Sequence, residues 1–261
     1  MNQQHGMRGE FHPLGVDLVT LSKLESSTSR PELERTEALL ELLDETMERT
    51  GSNALLGEFE AYERKKYGLS PQVQHTRRVG AVGLLTGIRL GLPSHLAFRI
   101  AYAGTTHDMG KRDPEINNVV NSHRKFTRDD PEREIINQHS SVGADILTTY
   151  LHADNEFDIT CNTDAIFAAA YHHATSETLQ ELLETAPDQE TRERVEITRL
   201  TQVLDVYDAL TDPLRSYRNG VDRHEVAKAI VVSHLGEETV IFGVRVADIV
   251  EMLPAIKQQL A

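Results

Sequence analysis

Residues 94–111 read SHLAFRIAYAGTTHDMGK, and the spacing of their apolar side chains decides the fold. Leu96, Ile100, Ala103 and His107 recur at intervals of four, three and four, which is the period of one face of an α-helix. His107 therefore projects from the inward face of its helix, with Asp108 next to it where Gly110 lets the chain turn. A single histidine on such a face is ordinarily a core residue satisfied by one hydrogen bond. Its meaning depends on what other polar groups the chain buries.

The same pattern recurs outward from this stretch. His75 opens a helix whose inward face continues through Val79 and Val82, His139 precedes Val142 and Ile146, and His172-His173 ends the apolar run AIFAAAYHH. Asp205 lies in TQVLDVYDAL between Leu204 and Val206, where an unpartnered carboxylate would be costly. Five histidines and two aspartates pointing inward are best explained by cations that bind them together. Asp208, three residues after Asp205, shares nearly the same helix face and is expected to position ligands.

Helices are expected near 72–90, 94–107, 132–150, 163–174 and 189–211, with two more closing the chain and TVIFGV near 239–244 as the one strand-like segment. Residues 1–30 read as an irregular leader. Ser29-Arg30-Pro31 then opens an acidic helix with Leu33, Leu40, Leu43 and Met47 on one face, and a second helix near 53–66 runs to the break at Gly68–Pro71. The domains expected are a leader and helical extension over 1–68 and a catalytic domain over 69–261. The apolar face of the first helix suits packing onto the catalytic domain or a homodimer through the N-terminal helices.

Composition narrows the function classes. The one cysteine, Cys161, leaves no internal disulfide and no thiolate-rich zinc site, so any metal must be held by nitrogen and oxygen, and twelve histidines supply the nitrogen. A net charge of −14 argues against general nucleic-acid binding. No run reaches the ~18 apolar residues of a membrane span, and the N-terminus carries no secretory or transit pattern. A cytoplasmic protein acting on a small phosphorylated or nucleotide substrate is the expectation. Neutral imidazoles bind divalent first-row metals, and a carboxylate such as Asp108 can bridge two cations at ~3.5–4 Å; the resulting centre activates a shared hydroxide and stabilises phosphoryl charge.

The ordered blocks His75, HDMGK, HSSVGADIL, YHH and LDVYDALTDPLRSYR resemble the HD superfamily of metal-dependent phosphohydrolases, specifically its HD-GYP branch, over about 70–261. The resemblance implies an all-α HD-domain helical bundle with an N-terminal helical extension. It implies one metal on His75, His107, Asp108 and Asp205, and a second on Asp108, His139, His172 and His173, the two divalent ions being Fe, Mn, Mg, Ni, Co or Zn. Asp108 and Lys111 take the catalytic roles, Lys111 contacting substrate phosphate together with Arg215 and Arg218. Ala174 stands where the branch has the glutamate of HHE, TSETLQELLETAPDQETRE replaces the GYP loop, and Pro71 replaces a glutamate tied to a third metal. A cyclic dinucleotide phosphodiesterase is one reading of this degenerate motif. The alternatives are an HD-type di-iron oxygenase and a non-catalytic nucleotide-binding domain.

Overall fold

The computed structural model describes residues 32–122, 129–212 and 223–260. Among the described residues the fold is all-helical apart from one minimal hairpin: α1 (Glu32–Arg49), α2 (Ser52–Tyr67), α3 (Pro71–Arg89), α4 (Ser94–Thr106), a 3₁₀ turn (Met109–Arg112), α5 (Pro114–Val120), α6 (Pro131–Asn137), α7 (His139–Tyr150), α8 (Glu156–Tyr171), α9 (Ser176–Glu184), α10 (Gln189–Thr211), α11 (Arg223–Leu235), β1 (Val240–Ile241), β2 (Val244–Arg245) and α12 (Val246–Gln259). The two strands pair antiparallel with Val240 opposite Arg245 and Ile241 opposite Val244, and the turn between them has positive φ at Phe242 and Gly243. Among the described residues no helix is long and apolar enough to cross a membrane.

The bundle is organised by the antiparallel pair α3 and α4. Their axes approach closely because small residues line the contact: a Cβ on Gly80 would fall 1.9 Å from Thr105 Oγ1 and 2.8 Å from the Ala101 carbonyl oxygen. One apolar cluster lies on each side of this pair. On the first side Leu39, Leu43 and Met47 of α1 and Leu56 and Phe59 of α2 join Leu84, Phe98 and Tyr102. The apolar stripe of the N-terminal helices therefore packs on the rest of its own chain. On the second side α10, α11 and α12 close over Val79, Val82 and Ile100 through Leu200, Leu204, Val231 and Leu253.

Several expected boundaries need correction. The helix expected over 132–150 is two helices meeting at Gln138, which keeps helical dihedrals (φ −69°, ψ −17°), so the apolar spacing runs through the join. The helix expected from 163 begins at Glu156, where the Asn155 side chain caps it by accepting from Asp158 N–H, and His172 and His173 lie just beyond its last residue. The segment standing in place of the GYP loop contains α9, capped by Thr175. The 1–30 leader and the pair Arg215 and Arg218 fall outside the described residues.

Candidate metal centre

The centre is assembled at the ends of helices. His75 lies in the second turn of α3, His107 caps α4 at its C-terminus, and Asp108 precedes the 3₁₀ turn. His139 is the first residue of α7, His172 follows the last turn of α8, and Asp205 lies in the middle of the buried face of α10. All seven expected residues converge. His75, His107, Asp108 and Asp205 form one group of donor atoms within 4.8 Å of one another, and His139, His172 and His173 form a second on the same criterion. All are buried except His173, which reaches solvent.

Asp108 lies between the two groups. Its Oδ2 is 3.4 Å from His107 Nε2 and 3.7 Å from His75 Nε2, while its Oδ1 is 3.3 Å from His139 Nε2 and 3.4 Å from His172 Nε2. One carboxylate thus turns one oxygen to each set. The Lys111 ammonium pairs with Oδ2 from the following turn.

The backbone fixes which imidazole nitrogens carry lone pairs. His107 Nδ1–H donates to the Gly104 carbonyl at 2.7 Å, His139 Nδ1–H to the Ile136 carbonyl at 2.5 Å, and His172 Nδ1–H to the Ala169 carbonyl at 3.0 Å. Carbonyls only accept, so each Nδ1 holds a proton, and in the neutral ring each Nε2 faces the centre with a lone pair. The three Nε2 atoms of the second group crowd together, His139 lying 3.0 Å from His172 and 3.1 Å from His173. Lone pairs at that separation repel unless a proton or a cation lies among them. His107 Nε2 and Asp108 Oδ1 are buried and make no hydrogen bond. Converging imidazole and carboxylate donors, with unsatisfied buried atoms among them, fit divalent metal ions.

The electrostatics agree. Burial opposes charge on Asp108, but Lys111, His107 and His139 outweigh it and hold the carboxyl well below the usual range. Burial likewise opposes charge on Asp205, and the His107 and His75 imidazoles beside it override burial in the same direction. His107 feels the converse: burial lowers its pKa, yet Asp108 and Asp205 push it up to about 10. The two carboxylates therefore draw positive charge to the point that Nε2 faces. Burial and the neighbouring imidazoles lower the pKa of His172, which favours its neutral, ligating form.

Supporting residues hold this set in place. His75 Nδ1–H donates to Asp208 Oδ2 at 2.7 Å, which leaves Nε2 facing Asp205 Oδ1 at 2.8 Å. Asp208 also receives Arg78 of α3 and Lys257 of α12, the latter at 2.7 Å. The sequence reading missed both cations: Arg78 resembles a solvated lysine or arginine on a helix, and nothing near Lys257 links it to residues 49 positions away. Gln202, two turns before the end of the buried face of α10, donates to the Ala174 carbonyl at 2.8 Å and so fastens the His172-His173 segment to the helix carrying Asp205. Gly110 has a different role from the expected turn. Its φ is not positive; it is needed because the His139 backbone lies against it.

A helical bundle in which a His/Asp donor set and an all-histidine donor set converge defines an all-helical protein able to hold metal ions. The HD domain family model matches residues 73–211, more than half of the chain, and the chain belongs to that family. HD domains are as a rule metal-dependent hydrolases, and the buried His/Asp groups here can hold the metal that such activity needs. No curated protein and no solved structure matches the chain.

Proposed function

We propose that this protein is a phosphohydrolase that cleaves a phosphoester of a small nucleotide-like substrate, with Asp108 shared between two cations. The observation that carries the reading is the division of the Asp108 oxygens between the two donor groups. His75, His107, Asp108 and Asp205 would hold one cation, and His139, His172 and His173, with Asp108, the other. Cations bound there supply Lewis acidity toward a phosphoryl oxygen and a water of lowered pKa.

The chain's own residues do the rest. Asp108 and Asp205 stay ionised at neutral pH, because their pKa values are held far below it. Lys111, buried beside Asp108, can exchange that carboxylate for a substrate phosphate oxygen without losing an anionic partner. His173, the exposed donor, marks the side from which substrate arrives. The chain reads as an HD-GYP-like member with a degenerate GYP motif, its catalytic unit spanning 69–261 and preceded over 1–68 by a leader and a helical extension. Cyclic dinucleotides therefore head the substrates to try, with Arg215 and Arg218 as further phosphate contacts.

The test removes His107 and Asp108 together. Replacing both with alanine should abolish bound metal and turnover, and wild-type turnover in that variant would overturn the assignment. Incubating metal-loaded protein with cyclic dinucleotides, linear dinucleotides, mononucleotides and guanosine tetraphosphate, then identifying products, selects the substrate. Substrate-dependent oxygen consumption in place of phosphoester cleavage would identify a di-iron oxygenase instead.

A further inference from the structure

Glu63 is fully buried near the end of α2, outside the residues matched by the HD domain model. Its carboxylate has four donors from two separate segments. Oε2 accepts from Gln72 N–H at 3.1 Å and Val73 N–H at 3.3 Å, buried amides of the first turn of α3 that have no acceptor within the helix. Oε1 accepts from Asn117 Nδ2 and Asn121 Nδ2, each at 3.1 Å, at and just beyond α5. Gln72 Nε2 closes the ring by donating to Asn121 Oδ1 at 2.9 Å. Ser70, the residue at the N-cap of α3, makes no capping bond, so the carboxylate takes over that function from another helix.

The two segments joined in this way are those that deliver metal-centre residues. Val73 lies two residues before His75. The α5 segment follows His107, Asp108 and Lys111 directly, through a 3₁₀ turn and the Asp113 cap. We infer that Glu63 is a positioning residue of the metal centre, fixing the helix that carries His75 against the turn that carries Asp108 and Lys111. The N-terminal helical extension is then part of the working centre. This inference rests on the reading of the centre as a metal site.

Energetics separate positioning from simple stabilisation. Burial pushes the Glu63 pKa up, and its four hydrogen bonds do not fully offset that. A buried charge of this kind adds little net stability compared with a neutral group of the same shape, whereas its directional bonds fix geometry. Removing the charge should therefore disturb position more than stability.

The experiment titrates the metal-free full-length chain with Mn²⁺ alone, reading affinity by calorimetry and melting temperature in parallel. Glu63→Gln should weaken Mn²⁺ binding by about 10-fold, in the range that supporting residues of metal ligands show, while melting within a few degrees of wild type. Arg49→Met is the control. It breaks a buried ion pair, Arg49 to Asp158 at 2.6 Å, which also anchors the N-terminal extension, but at the first turn of α8, far from His172 at the other end of that helix and on neither of the segments that Glu63 joins. Arg49→Met should melt lower and keep wild-type Mn²⁺ affinity. Should Glu63→Gln fail to fold, Asn121→Ala decides, since it removes one donor and the Gln72 bridge from a half-buried position; a several-fold loss of affinity is expected. Wild-type affinity in Glu63→Gln or in its substitute, or an equal loss in Arg49→Met, overturns the inference. No Mn²⁺ binding by the wild-type chain would overturn the reading of the centre itself.

Discussion

Gly110 lies so close to His139 that a Cβ on the glycine would fall 1.8 Å from the His139 carbonyl oxygen, and 2.7 Å from the Gly143 nitrogen on the next turn of α7. This contact seats the start of α7, and with it one donor of the second group, against the turn that carries Asp108. The glycine of HDMGK is therefore a packing requirement of the site. Gly110→Ala should force the two segments apart. A displacement near 1 Å at a reacting centre lowers turnover on the order of 100-fold, and overpacking lowers stability by about 1–3 kcal/mol. Metal content of the purified variant, with turnover and denaturant unfolding, checks this; full occupancy and wild-type turnover would show that the contact is dispensable.

The two donor groups should lose metal separately. His75→Ala removes a donor from the first and His139→Ala from the second, so if the wild type binds two cations as proposed, each variant should retain about one. Asp108→Ala takes an oxygen from both and should retain neither. Elemental analysis after dialysis gives the stoichiometries. A fully loaded His139→Ala would remove that residue from the ligand set.

Much of this centre could be read from residue spacing, because a histidine on an apolar helical stripe is conspicuous in itself. His107 after Ile100 and Ala103, and His172-His173 after AIFAAAYHH, show it directly. The pairings that orient the ligands could not be read. Arg78 and Lys257, 179 residues apart in sequence, meet at Asp208, and only the packing of α12 against α3 and α10 brings them together. Residues 175–193 stand in the sequence as the replacement for the GYP loop, and a helix is expected only from 189 onward. Leu179, Leu182 and Leu183 nevertheless carry the i, i+3, i+4 spacing of a helix, and the segment forms α9 with Leu179 fully buried, so this helix was legible. Gln138 hides the break between α6 and α7 by remaining helical.

Lys111 should prove separable from the ligands. Its ammonium touches Asp108 but lies outside both donor groups. Lys111→Ala should therefore bind metal with wild-type stoichiometry, while kcat falls about 100- to 1,000-fold, the usual loss when one stabilising donor to a reacting oxyanion is removed. Metal analysis beside steady-state kinetics separates the two effects. Loss of metal in this variant would make Lys111 a support of Asp108 rather than a contact for substrate phosphate.

Asp208 gives a pH dependence whose sign follows from its surroundings. Burial raises its pKa, but the hydrogen bonds from His75 and Arg78 and the charge of Lys257 outweigh burial and hold it well below the usual carboxylate range. A carboxyl that binds its proton less tightly when folded than when unfolded stabilises the fold most where both states are ionised, above the unfolded value of about 3.9. That stability is lost as pH falls through the lower, folded value. In metal-free protein, unfolding free energies of the wild type and Asp208→Asn should differ by about 2 kcal/mol near neutrality, a modest figure because the Arg78 and Lys257 side chains are 32% and 23% exposed. The difference should hold constant down to about pH 5 and shrink below about pH 4. Asp208→Asn should also weaken metal binding at His75 by about 10-fold, since the ring loses its charged acceptor. A difference that widened on acidification would mean that Asp208 is protonated in the folded protein, and its hold on His75 would then have to be of another kind.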